Sequence, residues 1–237
     1  MAGISGIGGY NSYNSNIYGK IASGNRIQSA KDDPAGQAIA SKQEAQLRAQ
    51  KMQQRNAAMQ QDAINIADGA RAGINDYLQD INALSVQAMN GLYSDSDRQA
   101  IQNQINQYAT GIDDTVSQAK YNENSVLGGT SARSLGMQNF DVTSGEANLD
   151  AVDAAINSVN GSRAQDGAVS NGLDHSISNL GTAAVNTEAS LSRITDLDIG
   201  EGVTQQKREE ALNQYSMAMQ RRQMDDQQSL MNRMFNA

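Results

Sequence analysis

The sequence predicts a mainly α protein, a long antiparallel helical rod or coiled bundle carrying one small β-hairpin element. Two observations carry that prediction. Apolar residues recur at helical spacing in two very long tracts near the two ends of the chain, and the period breaks only in a short stretch between them. A third observation is compositional. Of the 237 residues only 38% are hydrophobic and 4% aromatic, with no Trp and two Phe. That is thin for a compact globule, whose aromatic side chains usually supply much of the buried area. Narrow apolar stripes on amide-rich helices fit an assembly subunit better than a globular catalyst.

Composition also excludes functions. With no cysteine, disulfides, Cys-ligated metals and thiol catalysis are ruled out. A net charge of −8 argues against a nucleic-acid partner, which needs a basic face. The lone histidine, His175, cannot build a multi-histidine metal site. No stretch approaches the roughly 20 apolar residues of a membrane span. Residues Met1 to Lys20 hold Gly, Ser, Asn and Tyr where a signal peptide has its apolar run. The expectation is a protein without catalytic site, cofactor, metal, nucleic-acid partner or membrane insertion.

Taken in order, the first 24 residues read as a weakly helical or disordered arm. A helix starts after Asp32, Asp33 and Pro34, because acidic residues suit the positive end of the helix dipole and proline suits a first turn. Its stripe runs Met59, Ala63, Ile66, Ala70, Ile74, Tyr77, Ile81, Leu84, Ala88, eight steps over 29 residues, the straight 3.6-residue period. Gly69 and Gly73 weaken it, and Asn90-Gly91 predicts a left-handed C-cap. The run Ser94-Asp95-Ser96-Asp97 starts a second helix, with stripe Ile101, Ile105, Tyr108, Ile112, Val116, Ala119. The short turn between the two predicts an antiparallel hairpin.

Between Asn122 and Gly145 the spacing of Val126-Leu127, Leu135, Met137, Phe140 and Val142 predicts one or two short strands. Helical character returns with Leu149, Val152, Ile156, Val159. After Asn160-Gly161 it resumes as Val169, Leu173, Ile177, Leu180, Ala184, Thr187, Leu191, Ile194, seven steps over 25 residues. From Asp196 the chain is polar and helix-prone, with Met217, Met224 and Met231 one heptad apart.

The sharper readings of single features give way to plainer ones. His175 lies off its helix's stripe and reads as a surface residue. Asp32-Asp33 resembles an acid–base pair, but capping of a helix start accounts for both. Gly3, Gly6, Gly8 and Gly9 mimic a phosphate loop without its preceding strand or following Lys-Ser/Thr. The methionine heptad is a packing stripe rather than a metal or redox site. Arg26, Arg193, Arg221 and Arg222 are the charges expected in contacts between subunits.

The tract Ile21-Ala22-Ser23-Gly24-Asn25-Arg26-Ile27-Gln28-Ser29-Ala30-Lys31-Asp32-Asp33-Pro34-Ala35-Gly36-Gln37-Ala38-Ile39-Ala40 closely resembles the N-terminal signature of bacterial flagellins, Ser-Gly-x-Arg-Ile-x-Ser-Ala-x-Asp-Asp-x-Ala-Gly-x-Ala-Ile-Ala. Three further segments resemble that family in the same order. They are Leu84 to Ala88 with Asn90-Gly91 and Ser94 to Arg98, then Leu149 to Asn157 with Ile177 to Leu180, and Ser192-Arg193-Ile194-Thr195-Asp196-Leu197-Asp198.

The resemblance implies a short flagellin, without the variable outer domains, that polymerises into the flagellar filament for motility. It implies an N-terminal inner-core arm at 1–24, shorter than is usual in the family, an outer-tube domain at 25–195, and a C-terminal inner-core helix at 196–237. Implied partners are further copies of the chain, the flagellar type III export apparatus, an export chaperone, and the cap and hook-junction proteins. The implied location is the extracellular filament. Subunit contacts are expected at Arg26, Ile27, Asp32, Asp33, Arg193, Ile194, Asp196, Met217, Met224 and Met231. The patch that Toll-like receptors read in flagellins holds Arg, Leu and Glu; the matching positions are Asp80, Leu84 and Gln104, which implies weak or absent recognition. The alternatives are a hook–filament junction protein, a minor or atypical flagellin-like secreted protein, and a secreted effector or enzyme, for which no catalytic insert is visible.

Overall fold

The computed structural model describes residues 17–235. A short helix α1 spans 17–23 and is followed by the long helix α2, Pro34–Ala88. Helix α3 covers Asp95–Gln118, and strands β1 (Lys120–Tyr121) and β2 (Asn124–Ser125) form a two-residue antiparallel hairpin. Helices α4, Leu149–Thr195, and α5, Ile199–Phe235, complete the order. The chain divides into two compact units, Gln50–Thr182 and Met1–Ala49 with Ala183–Ala237. The fold is mainly α, as the sequence predicts.

Within Gln50–Thr182, α2 and α4 run antiparallel. Asn82 donates to Asp153 at 3.1 Å, Arg71 pairs with Asp166, Gln61 donates to Asp174 at 2.6 Å, and Gln54 lies against Gly181. Both helices turn a heptad seam inward. On α2 the sheltered positions include Ala57, Gln61, Ile64, Asp68, Arg71, Leu78 and Ser85; on α4 they include Val152, Ile156, Val159, Arg163, Asp166, Ser170, Leu173, Ile177 and Leu180. Steps of four and three residues average 3.5, the spacing that keeps a seam facing its partner as two helices coil around one another.

The straight 3.6-residue stripe predicted for α2 is therefore corrected. A 3.6-residue line drifts off a 3.5-residue seam, so Met59 and Ile66 at its start are exposed, while Leu78 and Ser85, which it skips, are fully buried. Tyr77, which the stripe takes in place of Leu78, is half-buried and stacks obliquely on Tyr108 with ring centroids 5.8 Å apart. On α4 the same drift places Val169 in solvent and Ser170 inward. The predicted interruption at Asn160-Gly161 is absent, because seam contacts on both sides hold α4 helical through it.

Helix α3 starts as expected. Ser94 caps it through a reciprocal capping box, with the Ser94 backbone N–H donating to Asp97 Oδ2 at 3.0 Å and the Asp97 N–H donating to Ser94 Oγ at 3.3 Å. The expected left-handed cap at Gly91 is not formed: α2 ends at Ala88, and Arg98 Nε donates to the Ala88 carbonyl at 3.1 Å. Ile105, Ile112, Ile74, Leu78 and Ile81 are fully buried and form the core between α2 and α3, joined by Val152 of α4.

The strand expectation for 122–145 is met only at its start, where β2 lies; the apolar residues from Val126 to Val142 that prompted it form no strand. The hairpin lies just before them, turning on Asn122 (φ 48°) and Glu123 (φ 67°), the pair of positive φ values that a type I′ turn demands. The segment after it is an irregular cover, anchored by its buried side chains Leu127, Met137 and Val142. Buried Gln102 replaces ladder hydrogen bonds by donating to the Phe140 carbonyl at 2.7 Å and accepting from the Val142 N–H at 2.8 Å. Asp113 accepts from the Ala132 N–H at 2.7 Å.

Candidate functional site: the knot between the two helical arms

The unit formed by Met1–Ala49 and Ala183–Ala237 holds most of the residues that the sequence singles out. After α1, Gly24 turns with φ +69°, a left-handed value that glycine adopts without strain. The chain then lies antiparallel to the link between α4 and α5. Asn25 bridges Asp196, the Arg26 N–H donates to the Thr195 carbonyl at 2.7 Å, and the Leu197 N–H donates to the Gly24 carbonyl at 2.8 Å. The Arg26 guanidinium continues the line, its Nη2 donating to the Ile194 carbonyl at 2.7 Å. That carbonyl is one of the last of α4, where a cation is favoured by the dipole.

Asp32 folds the next five residues into a compact loop. One carboxylate oxygen accepts from the N–H groups of Gln28 and Ser29 at 3.1 Å each and from the Ser29 hydroxyl at 3.3 Å, and the other lies 3.5 Å from Lys20 Nζ. The backbone hydrogen bond from Gln28, followed by the charge of Lys20, holds the Asp32 carboxyl below its ordinary 3.8. Asp33 caps α2, accepting from the Gly36 N–H at 2.8 Å while Pro34 takes the first helical position. Both aspartates organise the backbone, but only Asp33 caps the helix start; Asp32 accepts from residues that precede it, so the capping reading is corrected for Asp32. Ile27 is buried, and buried Gly36 is forced: a Cβ there would lie 2.8 Å from Ile27 Cδ1.

On the other arm, Asp196 accepts from the hydroxyls of Ser192 and Thr195, and Asp198 caps α5 by accepting from Gly200 and Glu201 N–H groups at 2.9 and 3.2 Å. Half-buried Ile194 and exposed Arg193 close the last turn of α4. The Tyr18 hydroxyl donates to Glu210 at 2.8 Å, which with Lys207 lowers the Glu210 carboxyl below its ordinary 4.5. The structure brings Arg26, Ile194 and Asp196 together at one backbone bridge, with Ile27, Asp32 and Asp33 in the loop beside it.

Met217, Met224 and Met231 lie elsewhere, on the exposed surface of α5 at 51%, 62% and 58% accessibility. Asp80 and Leu84 sit one turn apart on α2, exposed and half-buried, and Gln104 on α3 donates to the Tyr108 hydroxyl at 3.1 Å. His175 is exposed. Gly3, Gly6, Gly8 and Gly9 lie outside the described residues. Among the described residues no three metal-ligating side chains cluster, and no helix is long and apolar enough to cross a membrane. Sequence reasoning passes over Gly36, Gly202, Gln102 and the pair of Tyr18 with Glu210. Gly202 is buried, and a Cβ there would lie 3.0 Å from Leu197 Cδ2.

Residues 5–132 match the bacterial flagellin N-terminal helical region, and residues 149–234 match the bacterial flagellin C-terminal helical region. The chain belongs to the bacterial flagellin family. It is similar to the flagellin of Bacillus subtilis (strain 168), 30% identical over 260 residues that cover 84% of this chain and 86% of that one. It is also similar to flagellin FlaB2 of Treponema pallidum, 29% identical over 84% and 85% of the two chains. A flagellar filament 30.7 kDa core protein of Treponema maltophilum is 30% identical over 84% and 85%. For this flagellin, the knot is where the signature of the N-terminal region meets the start of α5 from the C-terminal region.

Proposed function

We propose that this flagellin is a structural subunit that self-assembles into the flagellar filament, without catalytic site or cofactor. The observation that carries the reading is the knot: the most specific stretch of the sequence spends its polar groups fastening one helical arm to the other. In this reading residues 1–24 and 196–237 supply the inner core and 25–195 the outer tube. Export proceeds unfolded through the flagellar type III apparatus, aided by an export chaperone and by the cap and hook-junction proteins, and delivers the subunit outside the cell.

Met217, Met224 and Met231 then meet neighbouring copies, for exposed methionine adapts to irregular helical surfaces. Arg193, Arg221 and Arg222 set register in those contacts, and Arg26, Ile27, Asp32, Asp33, Ile194 and Asp196 shape the surface that neighbours meet. Such exposed pairs are individually worth about 0–1 kcal/mol but recur at every contact. Expressing the chain as the sole flagellin of a flagellin-deficient host tests the reading. Extracellular filaments built of this chain and restored swimming are expected; secretion of the chain without filaments would overturn it. For the patch at Asp80, Leu84 and Gln104 the expectation is little activation of flagellin-sensing receptor reporter cells, raised at least tenfold by Asp80→Arg with Gln104→Glu. Strong activation by the unmodified chain would contradict it.

A further inference from the structure

The seam between α2 and α4 changes character at one level. On α4 the apolar run Val152, Ile156, Val159 is followed inward by Arg163, Asp166 and Ser170, and only then by Leu173 and Ile177. On α2 the same level is held by Asp68 and Arg71. Arg71 Nη1 pairs with Asp166, both mostly shielded, and Arg163 Nε lies 2.8 Å from Asp68 Oδ1. The guanidinium Nε of Arg71 and the amide oxygen of Asn75 are buried there without partners. An open cleft of about 280 Å³ runs alongside, lined in part by Asp68, Arg163, Asp166 and Gly167. Buried polar groups left unpaired weaken a seam rather than strengthen it.

The helices are weakened at the same level. Gly69 and Gly73 on α2, and Gly161, Gly167 and Gly172 on α4, all stand mid-helix, and a Cβ on any of them would meet nothing within 4 Å. Close packing therefore does not require these glycines, whereas Gly36 and Gly202 have neighbours that do. Each lowers helix stability by about 1 kcal/mol relative to alanine. Five such positions on facing segments, beside a seam where Asp68 and Arg71 face Arg163 and Asp166 in place of large apolar side chains, mark a local minimum of stability.

We propose that this level is a joint, where α2 and α4 open locally and reclose in a single register fixed by the two ion pairs. The pairs cross. Going up α2 from Asp68 to Arg71, the partners on α4 go up from Arg163 to Asp166, although the helices are antiparallel. Each arginine therefore reaches diagonally past the other. A slip of one heptad along α4 replaces Arg163 and Asp166 by Ile156 and Val159, or by Ser170 and Leu173, and strands both charges of α2. The glycines make opening easy and the crossed charges make any other closing unfavourable, so the helix pair gains compliance without losing alignment.

Hydrogen exchange on the full-length monomer tests the opening, and crosslinking tests the register. Amides of 68–73 and 161–172 should exchange at least tenfold faster than those of 150–159 and 174–182. Gly69→Ala with Gly167→Ala and Gly172→Ala should slow exchange in the joint, roughly fivefold per substitution at 1 kcal/mol each, and leave the flanks unchanged. Equal protection in joint and flanks, or a slowing spread evenly over both, would overturn the joint. Since the chain has no cysteine, a pair can be introduced on a clean background. Asn82→Cys with Asp153→Cys should crosslink at least tenfold faster than the heptad-slipped pair Asn82→Cys with Asn160→Cys. Asp68→Ala with Asp166→Ala should raise the slipped product several-fold. Slipped crosslinks as abundant as native ones in the parent, or unaffected by removing the charges, would overturn the register role.

Discussion

Asp32 and Gly36 show how single residues hold the knot. Asp32 gathers two backbone N–H groups, a hydroxyl and Lys20 on one carboxylate, so the loop favours its ionised form. Its folded pKa lies below the ordinary 3.8, which makes the sign of the pH effect definite: the stabilisation is full above that value and is lost as pH falls through the lower folded value. Asp97 and Glu210 are depressed in the same direction, by the Ser94 hydroxyl and the Tyr18 hydroxyl respectively. Stability followed by circular dichroism should therefore decline below about pH 4, and Asp32→Asn should flatten part of that decline while lowering the melting temperature at pH 7. An unchanged acid limb in the variant would contradict this role. Gly36→Ala should destabilise by about 1–3 kcal/mol, because the added methyl must displace Ile27 or the Asp33 cap. The same change at Gly167, which has open space, should stabilise. Asp33 is legible in the sequence as a cap; the loop role of Asp32 and the need for glycine at 36 are not, since they arise from Ile27, Gln28 and Ser29 folding back over the helix start.

At the scale of elements, stability follows the heptad seam and not the straight stripe. Leu78→Ala, which empties a fully buried site, should cost about 2–5 kcal/mol in urea unfolding, whereas Met59→Ala at an exposed site should cost less than about 0.5 kcal/mol. Comparable losses at the two positions would contradict the seam. Ser94→Ala should remove about 1 kcal/mol through the capping box of α3. At the hairpin, Glu123→Gly should raise stability by roughly 1 kcal/mol, since Glu123 is held at φ 67°. Helix existence, the start of α2 at Pro34 and the cap at Ser94 are readable because propensity, capping chemistry and proline act locally. The seam escapes a reading of the sequence because a 3.6-residue and a 3.5-residue line run side by side and part only over several turns. The cover from Val126 to Val142 reads falsely as strand because its apolar residues are placed by Gln102 and by the core beneath, and not by a strand's alternation. Asn160-Gly161, a turn signal in isolation, is overridden by packing on both sides.

For the whole molecule, the same economy holds throughout. Few aromatics, a narrow core and amide-rich helices leave long surfaces such as Met217, Met224 and Met231 exposed in the single chain. Family membership follows from motifs spread along most of the chain, so the sequence alone displays it; the crossed ion pairs are hidden there, because they depend on the register of two helices distant in sequence. Assembly is the central claim, and seeded polymerisation tests it most directly. Purified chain is mixed with short fragments of its own filaments under salting-out conditions and viewed by negative-stain electron microscopy. Filaments elongating from the fragments, and failing to do so when Arg26→Ala and Asp32→Asn loosen the knot, is the expected result. Protein that stays monomeric beside intact fragments would contradict the account.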